Sequence, residues 1–198
     1  LESAKDRALP LAPCSLVVKA GMMKRILIAP FAIFLMLAMS TQLARAVDIF
    51  MEPDVFLSEI FHGAAPAPSF LWLKGDLKAE MQEILGRKPG GLRMRYWQAA
   101  DRTVWILEEI GKTQPITTGI SVKGGEIERV QVLVYRESHG WEVRYPFFTD
   151  QFRGMRLDND QQLSGPVDGI SGATLSVRAL IKLARLALHL DAVSREDS

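Results

Sequence analysis

The chain reads as an α+β domain: an antiparallel meander of strands with an amphipathic helix before it and a long helix after it. Three observations carry this expectation. Apolar residues recur at helical spacing from Asp76 to Leu85 and again from near Ser171 to about Leu190. Between those stretches, from Leu92 to Tyr135, the apolar period falls to two, the spacing of a half-buried strand. The 198 residues are 48% hydrophobic, enough for one core, so the chain divides into an N-terminal segment, 1–46, and a single domain, 47–198.

The N-terminal segment reads as a targeting signal. Lys24-Arg25 precede the apolar run Ile26 to Met39, and Ala44-Arg45-Ala46 follows as a small-x-small cleavage site. A spanning helix needs about 20 apolar residues; this run is shorter, and Pro30 interrupts it. A secretory signal peptide cleaved after Ala46 is therefore expected, with Met22 or Met23 as the start and a periplasmic or extracytoplasmic destination. Retention as a membrane anchor is the alternative. The single cysteine, Cys14, lies upstream of the signal, so the mature protein would hold no thiol, which excludes disulfides, Fe–S clusters and attached c-type haem. Residues 1–46 carry six of the 24 basic and two of the 23 acidic side chains, which leaves the rest at a net charge of −3, poorly suited to nucleic acid.

Residues 47–75 are mixed, with short apolar pieces at Val55-Phe56-Leu57 and Phe70-Leu71-Trp72 around a loop, Ala64-Ala65-Pro66-Ala67-Pro68. The helix from Asp76 buries Leu77, Met81, Ile84 and Leu85 and ends at Gly86. A hairpin follows, with Leu92, Met94 and Tyr96 on one arm, Val104, Ile106 and Leu107 on the other, and a turn at Ala100-Asp101-Arg102. A second hairpin joins Ile116–Val122 to Ile127–Tyr135 through Lys123-Gly124-Gly125-Glu126, where paired glycines supply the positive φ angles of a tight turn. Alternation puts Val130, Val132 and Val134 on the core face and Gln131, Leu133 and Tyr135 on the other. Residues 140–165 read as a structured loop region over a pocket. In the last helix Ala173, Val177, Leu180, Ala184 and Ala187 form the buried face, and Arg178, Lys182, Arg185 and His189 a solvated stripe.

Chemistry concentrates at the start of that helix. Ser171 is placed to cap it, Gly172 and Ala173 expose backbone N–H groups, and Thr174 stands in the first turn, where a phosphate would meet unsatisfied donors and the positive helix end. Taken alone, Ser-Gly-Ala-Thr reads as an ordinary capped helix start, because caps are common. The three histidines, His62, His139 and His189, have no ligand spacing, and no paired carboxylates or Ser/His/Asp arrangement stand out, so neither a metal site nor hydrolysis is expected.

In its setting, Asp168-Gly169-Ile170-Ser171-Gly172-Ala173-Thr174-Leu175-Ser176 resembles the flavinylation motif of the FMN-binding domain family, which includes FMN-carrying subunits of the sodium-translocating NADH:quinone reductase and of the Rnf complex. Further blocks resemble the small soluble members: Gly111-Lys112 with Pro115-Ile116-Thr117, then Tyr135 to Arg144, then Gln151-Phe152-Arg153-Gly154. Two positions depart from the pattern. Thr113-Gln114 stands where a His-Glu pair is usual, and Trp141 where a small or polar residue is more common.

The resemblance implies an FMN cofactor. In the family a flavin transferase moves FMN from FAD onto the motif's last threonine, here Thr174, leaving a covalent phosphoester. Ser171, Gly172, Ala173 and Leu175 then surround the phosphate, and Asp168 serves structure or recognition by the transferase. Tyr135, Glu137, Ser138, Trp141 and Arg144 are the candidates for the ring slot, since charge and hydrogen bonds near a flavin set its electronics. Tyr135 and Trp141 can equally be core aromatics, and Glu137, Glu142, Arg136 and Arg144 a surface ion-pair cluster. The implied function is an exported electron carrier with a membrane or periplasmic redox partner. A flavin-dependent reductase of a small molecule, with Tyr145–Phe148 as a lid, and a cofactor-free exported binding module are the alternatives.

Overall fold

The computed structural model describes residues 48–196; the expected signal peptide, Cys14 and the expected cleavage site after Ala46 lie outside the described residues. Six strands make one antiparallel sheet: β1 (Asp48–Ile49), β2 (Ser69–Trp72), β3 (Arg93–Ala99), β4 (Arg102–Ile110), β5 (Pro115–Lys123) and β6 (Glu126–Tyr135). Their spatial order is β1-β6-β5-β4-β3-β2, so β3 to β6 form an uninterrupted meander and the two short strands flank it. The central hairpin turns at Gly124 (φ 59°) and Gly125 (φ 79°), where side chains rarely adopt the left-handed backbone that a two-residue turn demands. The helices are α1 (Pro53–Ile60), α2 (Gly75–Leu85), a four-residue α3 (Pro146–Thr149) and α4 (Thr174–Glu196). Among the described residues no helix is long and apolar enough to cross a membrane.

The inner face of the sheet carries the larger core. α2 and α4 pack on it, so Leu77 and Met81 meet Leu180 and Leu183 in one cluster with Trp105, Ile116 and Ile120. Tyr96 and Trp105 stack across β3 and β4, ring centroids 4.7 Å apart. A buried polar chain fixes the far end of α4: Thr103 Oγ1 donates to Asp191 Oδ1 at 2.6 Å and accepts from the Trp105 indole at 3.0 Å. The outer face holds a smaller cluster, in which Phe56, Leu57 and Ile60 of α1 cover Trp97, Val104, Leu133 and Val134. Gly119 makes room for α1, because a Cβ there would lie 2.5 Å from the Phe56 ring.

Three expectations need correction. The alternation along β6 does not hold to its end: Thr117 pairs with Val134 and Thr118 with Val132, so Leu133 is an extra residue in a β-bulge. Val134 consequently joins the outer cluster and Tyr135 the inner one. Secondly, the supposed solvated stripe of α4 is mostly half-buried. The Lys182 ammonium donates to the Leu85 carbonyl at the C-terminal end of α2 (2.6 Å), where the helix dipole favours a cation, Arg185 donates to the Gln161 carbonyl (2.8 Å), and His189 pairs with Glu80 (3.0 Å). Only Arg178 of the four is exposed. Thirdly, the mixed stretch after residue 47 contains α1, whose Phe56 is fully buried.

Candidate functional site

Thr174 is the first residue of α4. Ala173, not Ser171, occupies the cap position: its carbonyl accepts from the Val177 amide at 2.9 Å, and its own amide donates to the Ile170 carbonyl at 3.0 Å. Ser171 is exposed, two residues before that cap, and Gly172 between them takes φ 83°. The amides of Thr174, Leu175 and Ser176 lie in the first turn, where the helix itself offers no acceptor. Thr174 and Leu175 are exposed, while Ala173 and Ser176 are buried.

The buried end of this turn is tied to β6. The Tyr135 hydroxyl donates to the His139 carbonyl at 2.6 Å and lies 3.0 Å from Ser176 Oγ. Burial pushes the Tyr135 phenol above its ordinary value, against the stabilising contact from Ser176, so it stays protonated. Gly140 (φ 81°) lets the following loop lie against the helix start: a Cβ there would come within 3.0 Å of the Tyr135 hydroxyl and 3.1 Å of Ala173 Cβ. The bulge at Leu133 is what aims Tyr135 this way.

Two adjoining clefts result. The smaller, about 340 Å³, is walled by Gly172–Ser176 on one side and by Lys112, Glu137, Ser138 and His139 on the other. The larger, about 520 Å³, shares Glu137 and Ser138 and continues past Thr113, Gln114 and Arg136 to Trp141, Arg144, Tyr145 and Asp48. Arg144 is held among aromatic rings, its guanidinium 4.0 Å from the Phe50 ring centroid and about 5 Å from those of Trp141 and Tyr145. Trp141 and Tyr145 meet edge to face at 5.6 Å and are both exposed, so Trp141 is a wall residue rather than a core one.

Glu137 holds the wall in place. Its Oε1 accepts the amides of Lys112, Thr113 and Gln114, the last at 2.8 Å, and Oε2 accepts the Thr113 hydroxyl at 3.1 Å. Burial works to raise its carboxyl, but the amides of Gln114, Thr113 and Lys112 outweigh burial and hold it below the usual carboxylate range. Glu137 thus stays ionised and clamps the β4–β5 loop.

Of the residues singled out from sequence, Thr174, Gly172, Ala173 and Leu175 line the smaller cleft, Arg144 the larger, and Glu137 and Ser138 both. Tyr135 lines neither and supports from behind. Ser171 and Asp168 also line neither; the Asp168 amide donates to the Gln151 side chain at 2.8 Å. Lys112, Gln114, His139 and Ser176 were not singled out as site residues, although all four fall in or beside the resembling blocks. Within 140–165, Phe148 is fully buried, which leaves Tyr145 and Phe147 as the exposed rings of the proposed lid. Among the described residues no group of histidine, cysteine and carboxylate side chains is arranged to hold a metal.

An exposed threonine on a helix start, the first-turn amides, a side-chain-free neighbour in Gly172 and Lys112 lining the same cleft fit a phosphate ester, and the longer aromatic cleft beside it fits a flat conjugated ring. The fold and its two clefts define a domain for a phosphate-bearing aromatic cofactor. Residues 111–189, from the β4–β5 loop through most of α4, match the family described as FMN-binding domain. The match spans less than half of the chain, and this stretch is an FMN-binding domain. No curated protein matches the chain.

Proposed function

We propose that this protein is an exported electron carrier that holds FMN by a phosphoester to Thr174. The observation that carries the reading is the exposed Thr174 in the first turn of α4, which lines the smaller cleft together with Lys112. Attachment is a transfer from FAD: Thr174 Oγ forms the bond to the phosphorus of the FMN half, the pyrophosphate bond breaks, AMP leaves, and the hydroxyl proton passes to a base of the transferase. Gly172 and the first-turn amides accommodate the retained negative charge. Trp141, Arg144, Gln114 and Ser138 would border the ring, which supplies one- and two-electron redox chemistry when bound. Export gives the ester its use, because a cofactor held only by contacts would be lost where resupply is poor. Electrons would come from, and go to, a membrane or periplasmic partner.

The test is the intact mass of the protein co-produced with a flavin transferase, against Thr174→Ala. A gain of about 440 Da that survives denaturation and is absent from the variant supports the ester, since FMN is the cofactor the cleft is built for. No gain in either protein removes the ester; yellow colour that denaturation releases would then leave non-covalent FMN. Turnover of a small acceptor by the isolated reduced domain, at a rate indifferent to added partner proteins, would favour a reductase instead.

A further inference from the structure

Helix α1 covers only part of the outer sheet face. Beyond it, at the β2 edge, Phe70 and Trp72 of β2, Arg93 and Arg95 of β3 and Ile110 of β4 lie uncovered on one surface. Trp72, Ile110 and Phe70 are 56%, 50% and 43% exposed, high for large apolar side chains on one face. The two arginines lie over rings of the same face, Arg93 at 4.1 Å from the Phe70 centroid and Arg95 at 4.9 Å from that of Trp97. Among the described residues neither has a carboxylate partner. Glu108, the carboxylate that alternation puts on this face, is occupied by the Thr117 hydroxyl at 2.6 Å and by Arg136 at 3.6 Å.

We propose that this face is a docking surface for an anionic lipid bilayer. The charge is complementary: two exposed guanidinium groups without a carboxylate partner among the described residues share this face, on a domain whose residues 48–196 carry 18 basic, these two included, against 20 acidic side chains. The side-chain types also suit the boundary between headgroups and acyl chains, where tryptophan and other amphipathic rings concentrate and arginine keeps its head among phosphates while its stem lies on apolar surface. Phe70 and Trp72 stand exposed on the edge strand β2, which suits insertion between lipids. Ile110 leads directly into the loop whose Thr113 and Gln114 line the larger cleft, so the bilayer contact lies at the same end of the sheet as the flavin site.

The test is amide exchange of the full chain with vesicles of phosphatidylcholine and phosphatidylglycerol, against phosphatidylcholine alone. Anionic vesicles should slow exchange in Ser69–Trp72 and in residues 92–99. Arg93→Gln/Arg95→Gln should weaken that protection about 25-fold, at about five-fold for each cation near an anionic surface. Trp72→Ser should weaken it with the unfolding midpoint unchanged. Vesicle attachment that leaves these two segments unprotected overturns the proposal, because the chain is then held by another part. Equal protection by both vesicle types overturns the role of the arginines, and protection that appears only with an acidic protein reassigns the face to a protein partner.

Discussion

Substituting Glu137 with glutamine separates the carboxylate's charge from its shape. Three amides converge on Oε1, which has two lone pairs, so the cluster counts as about two full bonds. A bond to a charged acceptor contributes about 1 kcal/mol more than one to a neutral amide oxygen, and the site is half-exposed, so Glu137→Gln should cost about 1.5 kcal/mol at pH 7. Its pH dependence follows from the sign of the shift. The folded-state carboxyl is held below its unfolded value of 4.5, so its contribution is complete above that value and is lost as pH falls through the folded value. The assay is urea unfolding of both proteins from pH 7 down to pH 3: the gap between them should close below pH 4.5. A gap that is constant across that range, or below about 0.5 kcal/mol at pH 7, refutes the clamp. Flavin incorporation should also fall in the variant, since Lys112, Thr113 and Gln114 lose their anchor.

Tyr135→Phe removes a buried hydroxyl that serves both the His139 carbonyl and Ser176 Oγ; it should cost about 2 kcal/mol in thermal or urea unfolding and reduce flavin loading even though Tyr135 lines neither cleft. Gly119→Ala should cost about 2 kcal/mol by forcing a Cβ against the Phe56 ring; a neutral result in urea unfolding would mean that α1 is not seated there. Thr118 Oγ1 is buried without a hydrogen-bond partner among the described residues, so Thr118→Val should stabilise the domain by about 1 kcal/mol, read as a higher unfolding midpoint.

What was legible in the chain was whatever a local period or turn residue encodes. The central hairpin followed from Gly124-Gly125, α2 from Leu77, Met81, Ile84 and its Gly86 stop, and the buried face of α4 from Ala173 to Ala187. Features set by pairing between distant segments were not legible. Val130 to Val134 alternates perfectly in sequence, and the bulge at Leu133 exists only in its register with β5. Lys182 and His189 sit at the spacing of a solvated stripe, yet their partners, the Leu85 carbonyl and Glu80, are about a hundred residues away. The α1 signal was present, a proline in the first turn followed by Asp54, but eight residues with three buried apolar positions make too short a pattern to read.

The same division explains why the nine residues from Asp168 to Ser176 do not make a site alone. They supply the hydroxyl and the helix start, but the opposite wall comes from the loops after β4 and β6. Three separate features bring those walls together. The Leu133 bulge turns Tyr135 inward, Tyr135 joins the β6 loop to Ser176, and Glu137 gathers the β4 loop onto the β6 loop. Breaking any one of them moves a wall rather than the threonine, so each should lower flavin loading while leaving Thr174 intact. Loss of loading with Thr174 present is therefore the signature that separates a built cleft from a motif read only as an exposed peptide.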